Sequence, residues 1–191
     1  LENALDAGAK RVDIEVVDGG RKLISISDDG SGMNRDDAIL SIERHATSKI
    51  HDVDDIEHIH TLGFRGEALA AIASVSRFRL VTCAADETVG TELVVTAGKL
   101  ADVRDIGCPQ GTRFEVRDLF FNVPARRKFL RSAPTELAHI RSHFIQQCAF
   151  AADHLRNIER LSGLQRMFGQ YPRAETVDGE HRGQIDLVFG A

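Results

Sequence analysis

From Arg11 to Asp28 the chain alternates between apolar and polar positions: Val12, Ile14 and Val16, then a turn at Asp18-Gly19-Gly20, then Ile24 and Ile26. A period of two interrupted by a glycine turn predicts a β-hairpin. Before it, Leu1, Ala4, Leu5 and Ala9 share one face at helical spacing, with Gly8 placed to end the helix. The chain therefore reads as beginning inside its first helix. After the hairpin, DDGSGM forms a loop, and a short helix is expected over residues 36–44. Residues 51–60, HDVDDIEHIH, read as an acidic surface segment. LGFRGEALAAIASVS, from residue 62, sets a glycine-rich loop before a helix that starts near Glu67.

Three strand-like runs follow at residues 78–83, 92–95 and 112–116, then PARRKFLRS, an amphipathic stretch over about residues 135–151 and a poorly patterned tail. Strands and helices do not alternate as they do in a doubly wound sheet. The order predicts an α+β fold: a two-layer sandwich of a mixed, largely antiparallel sheet with helices on one face.

Composition narrows the class. The chain has 191 residues, 42% hydrophobic and 28% charged, which suits a globular domain and argues against disorder. No run of 18 apolar residues and no signal-like start is present, so the chain reads as cytosolic with no membrane association. Cys83, Cys108 and Cys148 are too widely spaced for a zinc-thiolate site and odd in number for a disulfide framework. They read as reduced, mostly core thiols. A net charge of -5 excludes a surface that is basic throughout. One local basic patch, Arg126, Arg127, Lys128 and Arg131, is the candidate DNA contact, against the plainer reading of a helix's solvated face.

Asp28 carries the most chemistry. It continues the register of Ile24 and Ile26, which turns its carboxylate toward the core side at a strand end, where it needs a donor. Gly30-Ser31-Gly32 leaves room for a flat ligand, and the exocyclic amino group of a purine such as adenine would supply that donor. An Asp capping its own loop is the alternative. Asn3, one helical turn before Ala7, offers a neutral amide oxygen that suits Mg2+. Thr47, Ser48 and Lys49 offer two hydroxyls and an ammonium to phosphate. Gly63 and Gly66 bring a backbone close to a ligand just before a helix N-terminus, a natural anion site. There is no P-loop and no complete dinucleotide fingerprint.

Taken in order, N-x-x-D-A-G, D-D-G-S-G, H-A-T-S-K, G-F-R-G-E-A-L and G-T resemble the ATP-binding domain shared by gyrase-type topoisomerases, heat-shock 90 chaperones, sensor histidine kinases and MutL mismatch-repair proteins. The finer resemblance is to the MutL family. It is carried by LENALDAGAKRVDI, RHATSKI, LGFRGEALAAIASVSRF and RDLFFNVPARRKFLRS, between Leu1 and Ser132. The resemblance implies ATP and Mg2+ as cofactors. Asn3 would ligate the metal, Asp28 would accept the adenine amino group, and Ala7, Gly32 and Thr112 would line the base. Thr47, Ser48 and Lys49 would follow the sugar and phosphates. Gly63, Phe64, Arg65, Gly66, Glu67, Ala68 and Leu69 would form a lid over the triphosphate.

It further implies an ATPase switch in mismatch repair that forms a nucleotide-dependent homodimer in the intact protein. That switch would work on DNA with the mismatch-recognition protein MutS and a downstream nuclease or helicase, in a bacterial cytoplasm at the nucleoid. Residues 1–180 would be the ATP-binding domain and 181–191 the start of the following transducer domain. The family's general base, a glutamate four residues before the motif asparagine, would fall two residues before Leu1. Glu2 cannot replace it, because adjacent helical residues point about 100° apart. Weak nucleotide binding and negligible turnover are therefore expected of these 191 residues alone. A sensor-kinase catalytic domain and a non-enzymatic DNA-binding module remain the alternatives.

Overall fold

The computed structural model describes residues 1–43, 68–158, 174–177 and 180–188. The chain opens with helix α1 (Glu2–Asp6), followed by the expected hairpin of β1 (Arg11–Val17) and β2 (Leu23–Asp28), closed by a 3-10 turn at Asp18–Gly20. Helix α2 spans Arg35–Leu40, shorter than the expected 36–44. Its start is set by Asn34, whose side chain accepts the Asp37 amide at 2.8 Å and so satisfies one of the free N–H groups of the first turn. Helix α3 (Ala68–Ala73) precedes β3 (Arg77–Cys83), β4 (Gly90–Thr96), β5 (Lys99–Ile106) and β6 (Gly111–Arg117). Helices α4 (Pro124–Arg127) and α5 (Ala133–Ile158) follow, then β7 (Ala174–Val177) and β8 (Glu180–Val188).

The strands form one sheet in the order β5-β4-β3-β6-β2-β1-β8-β7. Every described pairing is antiparallel. The mixed character expected of the sheet is thus not found among the described strands. The domain boundary expected near residue 180 coincides with the start of β8, which pairs with β1 from Arg11 to Val17 and so extends the sheet.

Register explains the two layers. Cross-strand partners align Ile14, Ile26, Phe114, Leu80 and Leu93 in one row, and Val16, Ile24, Val116, Phe78 and Val95 in the next. This face carries the helices. Ala4 and Ala9 at α1 and Leu137 of α5 pack with Val12, Ile14 and Val16. Ala38 of α2 and Ala73 of α3 pack with Phe78, Leu80, Leu93, Val95 and Val116. Phe78, Leu80 and Leu93 are almost wholly removed from water, each worth about 1.5–3 kcal/mol. The helices lie on one face, as the sequence pattern predicts.

The opposite face is polar. Glu92, 1% exposed, lies between Arg79 at 2.5 Å and Arg104, and Glu115 is shared by Arg79, Arg113 and Arg117 at 3.0–3.3 Å. Burying two carboxylates on a sheet face is tolerable because guanidinium groups cover both.

Candidate functional site

At one end of the helix-bearing face the apolar rows give way to a polar one. Asp28 stands opposite Thr112, Thr112 opposite Thr82, and Thr82 opposite Thr91. The three threonines are buried, so their hydroxyls must find partners inside the protein. The Thr82 hydroxyl donates to the Gly111 carbonyl at 3.0 Å and accepts the Met33 amide at 2.9 Å. Its contact with Thr112 Oγ1 at 3.1 Å then takes its proton from Thr112, which leaves Thr112 with lone pairs to offer beside Asp28.

Asp28 is half-buried. Burial pushes its carboxyl above the usual 3.8, and backbone N–H groups of Gly30 and Thr112 oppose the rise. The Gly30 amide donates to Asp28 Oδ1 at 3.0 Å. The loop-capping reading of Asp28 is therefore correct in part, yet the Gly30 and Thr112 amides leave lone pairs on its two oxygens that can still accept. An acceptor-only carboxylate beside a threonine with free lone pairs is chemistry suited to a donor ligand.

The neighbouring Asp29 does the structural work that Asp-Asp-Gly suggested. Its Oδ1 accepts the Lys10 and Arg11 amides, each at 2.7 Å, and the Arg11 contact holds its carboxyl below 3.8. This clamp joins the end of β2 to the segment leaving α1 and frees Asp28 to face the other way.

The Gly30–Gly32 loop is fitted between two elements. The Ser31 amide donates to the Ala7 carbonyl at 2.9 Å and the Ser31 carbonyl accepts the Ala85 amide at 3.0 Å. Gln110 Nε2 donates to the Gly30 carbonyl at 3.0 Å. Gly32 has φ +69°, and a Cβ there would stand 1.9 Å from the Cys83 carbonyl oxygen; Gly111, at φ +119°, would place one 2.1 Å from that of Asp28. Glycine is required at both positions by conformation and by space. Asn3 shares the face of Ala7 one turn away, is exposed, and its amide has no hydrogen-bond partner among the described residues.

The structure thus brings Ala7, Asp28, Gly32 and Thr112 into one region, with Asn3 on the helix above it. Ala68 and Leu69 open α3; Ala68 is exposed and Leu69 packs against the core. Thr47, Ser48, Lys49, Gly63, Phe64, Arg65, Gly66 and Glu67 lie outside the described residues. Sequence reasoning missed Thr82, Gln110 and Asp29. The doubled aspartate was a signal for the last, while the first two are legible only from cross-strand partners.

Arg126, Arg127, Lys128 and Arg131 lie elsewhere, at and after α4. The first three are exposed and unpaired with carboxylates among the described residues, whereas Arg131 contacts His139 at 3.0 Å. Phe129 between them is 85% exposed. The helix ends at Arg127, so Lys128, Phe129 and Arg131 follow it.

An antiparallel sheet covered by helices on one face, with an aspartate and glycine loop at its end, defines a class. Residues 1–116 match the family described as histidine kinase-, DNA gyrase B-, and HSP90-like ATPase, and the chain belongs to that family. Within it the similarity is to MutL. The chain is 51% identical over 187 residues to the DNA mismatch repair protein MutL of Syntrophobacter fumaroxidans, covering 97% of this chain and 27% of that protein. It is 60% identical over 140 residues to that of Opitutus terrae, covering 73% of this chain and 22% of that protein. Among solved structures it resembles the Aquifex aeolicus MutL ATPase domain complexed with ADP, with TM-score 0.54 and 37% identity over 74% of this chain and 50% of that one. The chain spans about a quarter of the length of these curated relatives. No helix among the described residues is long and apolar enough to cross a membrane.

Proposed function

We propose that this chain is the nucleotide-binding module of a DNA mismatch repair protein, taking ATP with Mg2+ and, in the intact protein, hydrolysing it. The observation that carries the proposal is the placement of Asp28: a half-buried carboxylate left as an acceptor at the end of the sheet, beside Thr112 and a glycine loop that admits no side chain. Adenine supplies the donor this arrangement lacks. The ADP named for the similar Aquifex domain supports the same assignment.

In this reading Asp28 accepts the adenine amino group, and Ala7, Gly32 and Thr112 line the ring. Asn3 holds Mg2+, which its unpartnered amide oxygen suits, and the ion when bound offsets phosphate charge. Thr47, Ser48 and Lys49 follow the sugar and phosphates, and Gly63, Phe64, Arg65, Gly66, Glu67, Ala68 and Leu69 form the lid. Arg126, Arg127, Lys128 and Arg131 contact DNA phosphates without reading sequence.

The cycle that follows is nucleotide-driven pairing of two such domains in a homodimer and slow hydrolysis that resets it. It couples mismatch recognition by MutS to strand removal by a downstream nuclease or helicase, in the cytoplasm and at the nucleoid. In the same reading residues 1–180 are the ATP-binding domain and 181–191 the start of the transducer domain. Saturable ADP binding that depends on Asp28 tests the proposal. Absence of binding at millimolar ADP and Mg2+ refutes it.

A further inference from the structure

Two of the three cysteines, far apart in sequence, meet beside the nucleotide loop. Cys83 ends β3 and Cys108 lies in the turn between β5 and β6. Both crowd one point next to Gly90: a Cβ on that glycine would stand 2.3 Å from Cys108 Sγ and 3.2 Å from Cys83 Cβ. Both are free thiols, Cys83 buried and Cys108 half-buried. Burial pushes the Cys108 thiol above its usual value of 9.0, and contact with the Cys83 thiol adds to the rise. The Cys83 sulfur itself points to the Glu87 carbonyl at 3.5 Å and the Ala84 carbonyl at 3.7 Å, beside the space that Cys108 Sγ fills. A disulfide needs its Cβ atoms about 3.8 Å apart, within reach of two side chains that share such a space.

The backbone around the pair is the backbone that holds the Gly30–Gly32 loop. The Cys83 carbonyl is the surface on which Gly32 rests, and Ala85, two residues on, donates to Ser31. Gln110, two residues after Cys108, donates to Gly30. A bond between the two cysteines would tie together the two segments that position this loop. Any backbone movement that brings the two sulfurs into a bond shifts the Cys83 carbonyl, and with it the seat of Gly32.

We propose that Cys83 and Cys108 are a redox-active pair, a modification site for peroxide-class oxidants, and that their disulfide weakens nucleotide binding by moving the loop. The second half rests on the nucleotide reading of the site. The thiolate fraction of half-buried Cys108, which its raised pKa keeps small at neutral pH and which grows with pH, attacks one peroxide oxygen, breaking the O–O bond, giving a sulfenic acid and releasing hydroxide. Cys83 sulfur then attacks the Cys108 sulfur, the S–O bond breaks and hydroxide leaves. The two thiol protons convert the two hydroxides to water, so two thiols and one peroxide become one disulfide and two waters.

The test uses the full 191-residue chain, reduced and then treated with hydrogen peroxide. Free thiols are blocked with N-ethylmaleimide, the protein is digested without reduction and its peptides are weighed, while ADP is titrated into both forms. The expected result is a linked pair of peptides carrying Cys83 and Cys108, two hydrogens lighter than their sum and separated by dithiothreitol. The oxidised form should bind ADP about threefold or more weakly. Cys108→Ser, and independently Cys83→Ser, should abolish both effects, while Cys148→Ser preserves them. Maleimide on both cysteines after peroxide, or a disulfide that uses Cys148, overturns the pair. A mapped disulfide with unchanged ADP affinity overturns the coupling. A reduced chain that fails to bind ADP at all refutes the nucleotide reading and the coupling with it, while the peptide masses still decide the pair.

Discussion

Asp28 on β2 and Thr112 on β6 are direct cross-strand partners at the end of the sheet face that carries the helices. The rows behind them are apolar, so burial opposes the charge of Asp28 more than the Gly30 and Thr112 amides favour it. Burial raises its folded-state pKa above the unfolded value of 3.8. The folded chain thus binds the proton more tightly than the unfolded one, and stability falls as pH rises from 3.8 through the folded value. Asp28→Asn removes that penalty and keeps an oxygen for the Gly30 amide. The nucleotide-free variant should melt at or above the parent temperature at pH 7, with the difference closing as pH approaches 3.8. Thermal melts across pH 3.5–8 measure it, and a clear loss at pH 7 would mean that Asp28 is structural.

The glycine loop admits a sharper steric test. An alanine at Gly32 or Gly111 would need a left-handed backbone and would strike a carbonyl oxygen at 1.9 or 2.1 Å. Each substitution should cost about 3 kcal/mol or more in urea denaturation. Gly107, with open space around its Cβ position, is the control and should tolerate alanine.

On the opposite face, Arg79 bridges Glu92 and Glu115. The Arg104 hydrogen bond, with help from Arg79, holds the Glu92 carboxyl below 4.5. Its contribution is present above pH 4.5 and is lost as pH falls through the lowered value. Removing one partner of a buried pair costs about 3–5 kcal/mol, but the guanidinium layer is itself open to water, with Arg104 62% exposed. Arg79→Ala should therefore cost about 2 kcal/mol at pH 7, with unchanged nucleotide binding.

The basic patch predicts a different signature. Replacing Arg126, Arg127 and Lys128 with alanine should weaken DNA binding equally across sequences and reduce the slope of log affinity against log salt by about 2–3. Fluorescence anisotropy at several salt concentrations reads this. An unchanged slope would place the DNA contact elsewhere.

How much of this could be read in the sequence depended on burial. The β1–β2 hairpin was legible because the buried Val12, Ile14 and Val16 alternate with the more exposed Arg11, Asp13 and Glu15. Strand β5 was not, because it lies at the sheet's edge with nearly every residue exposed, and Leu100 gives no alternating signal. Strands β7 and β8 were passed over in the tail; β8 gains its place through pairing with β1, a contact no local pattern announces. At the site, Asp28 was legible from register alone. Thr82 was not, since its role depends on Thr112, Gly111 and Met33 arriving from other parts of the chain.

The central claim is that Asp28 recognises the adenine of a bound nucleotide, and one measurement addresses it: calorimetric titration of ADP with Mg2+ into the parent chain and into Asp28→Asn. A charge-assisted hydrogen bond in a partly buried site is worth about 1.5–3 kcal/mol. The variant, folded by circular dichroism, should therefore bind about tenfold or more weakly. Equal affinity in the two proteins would contradict the account.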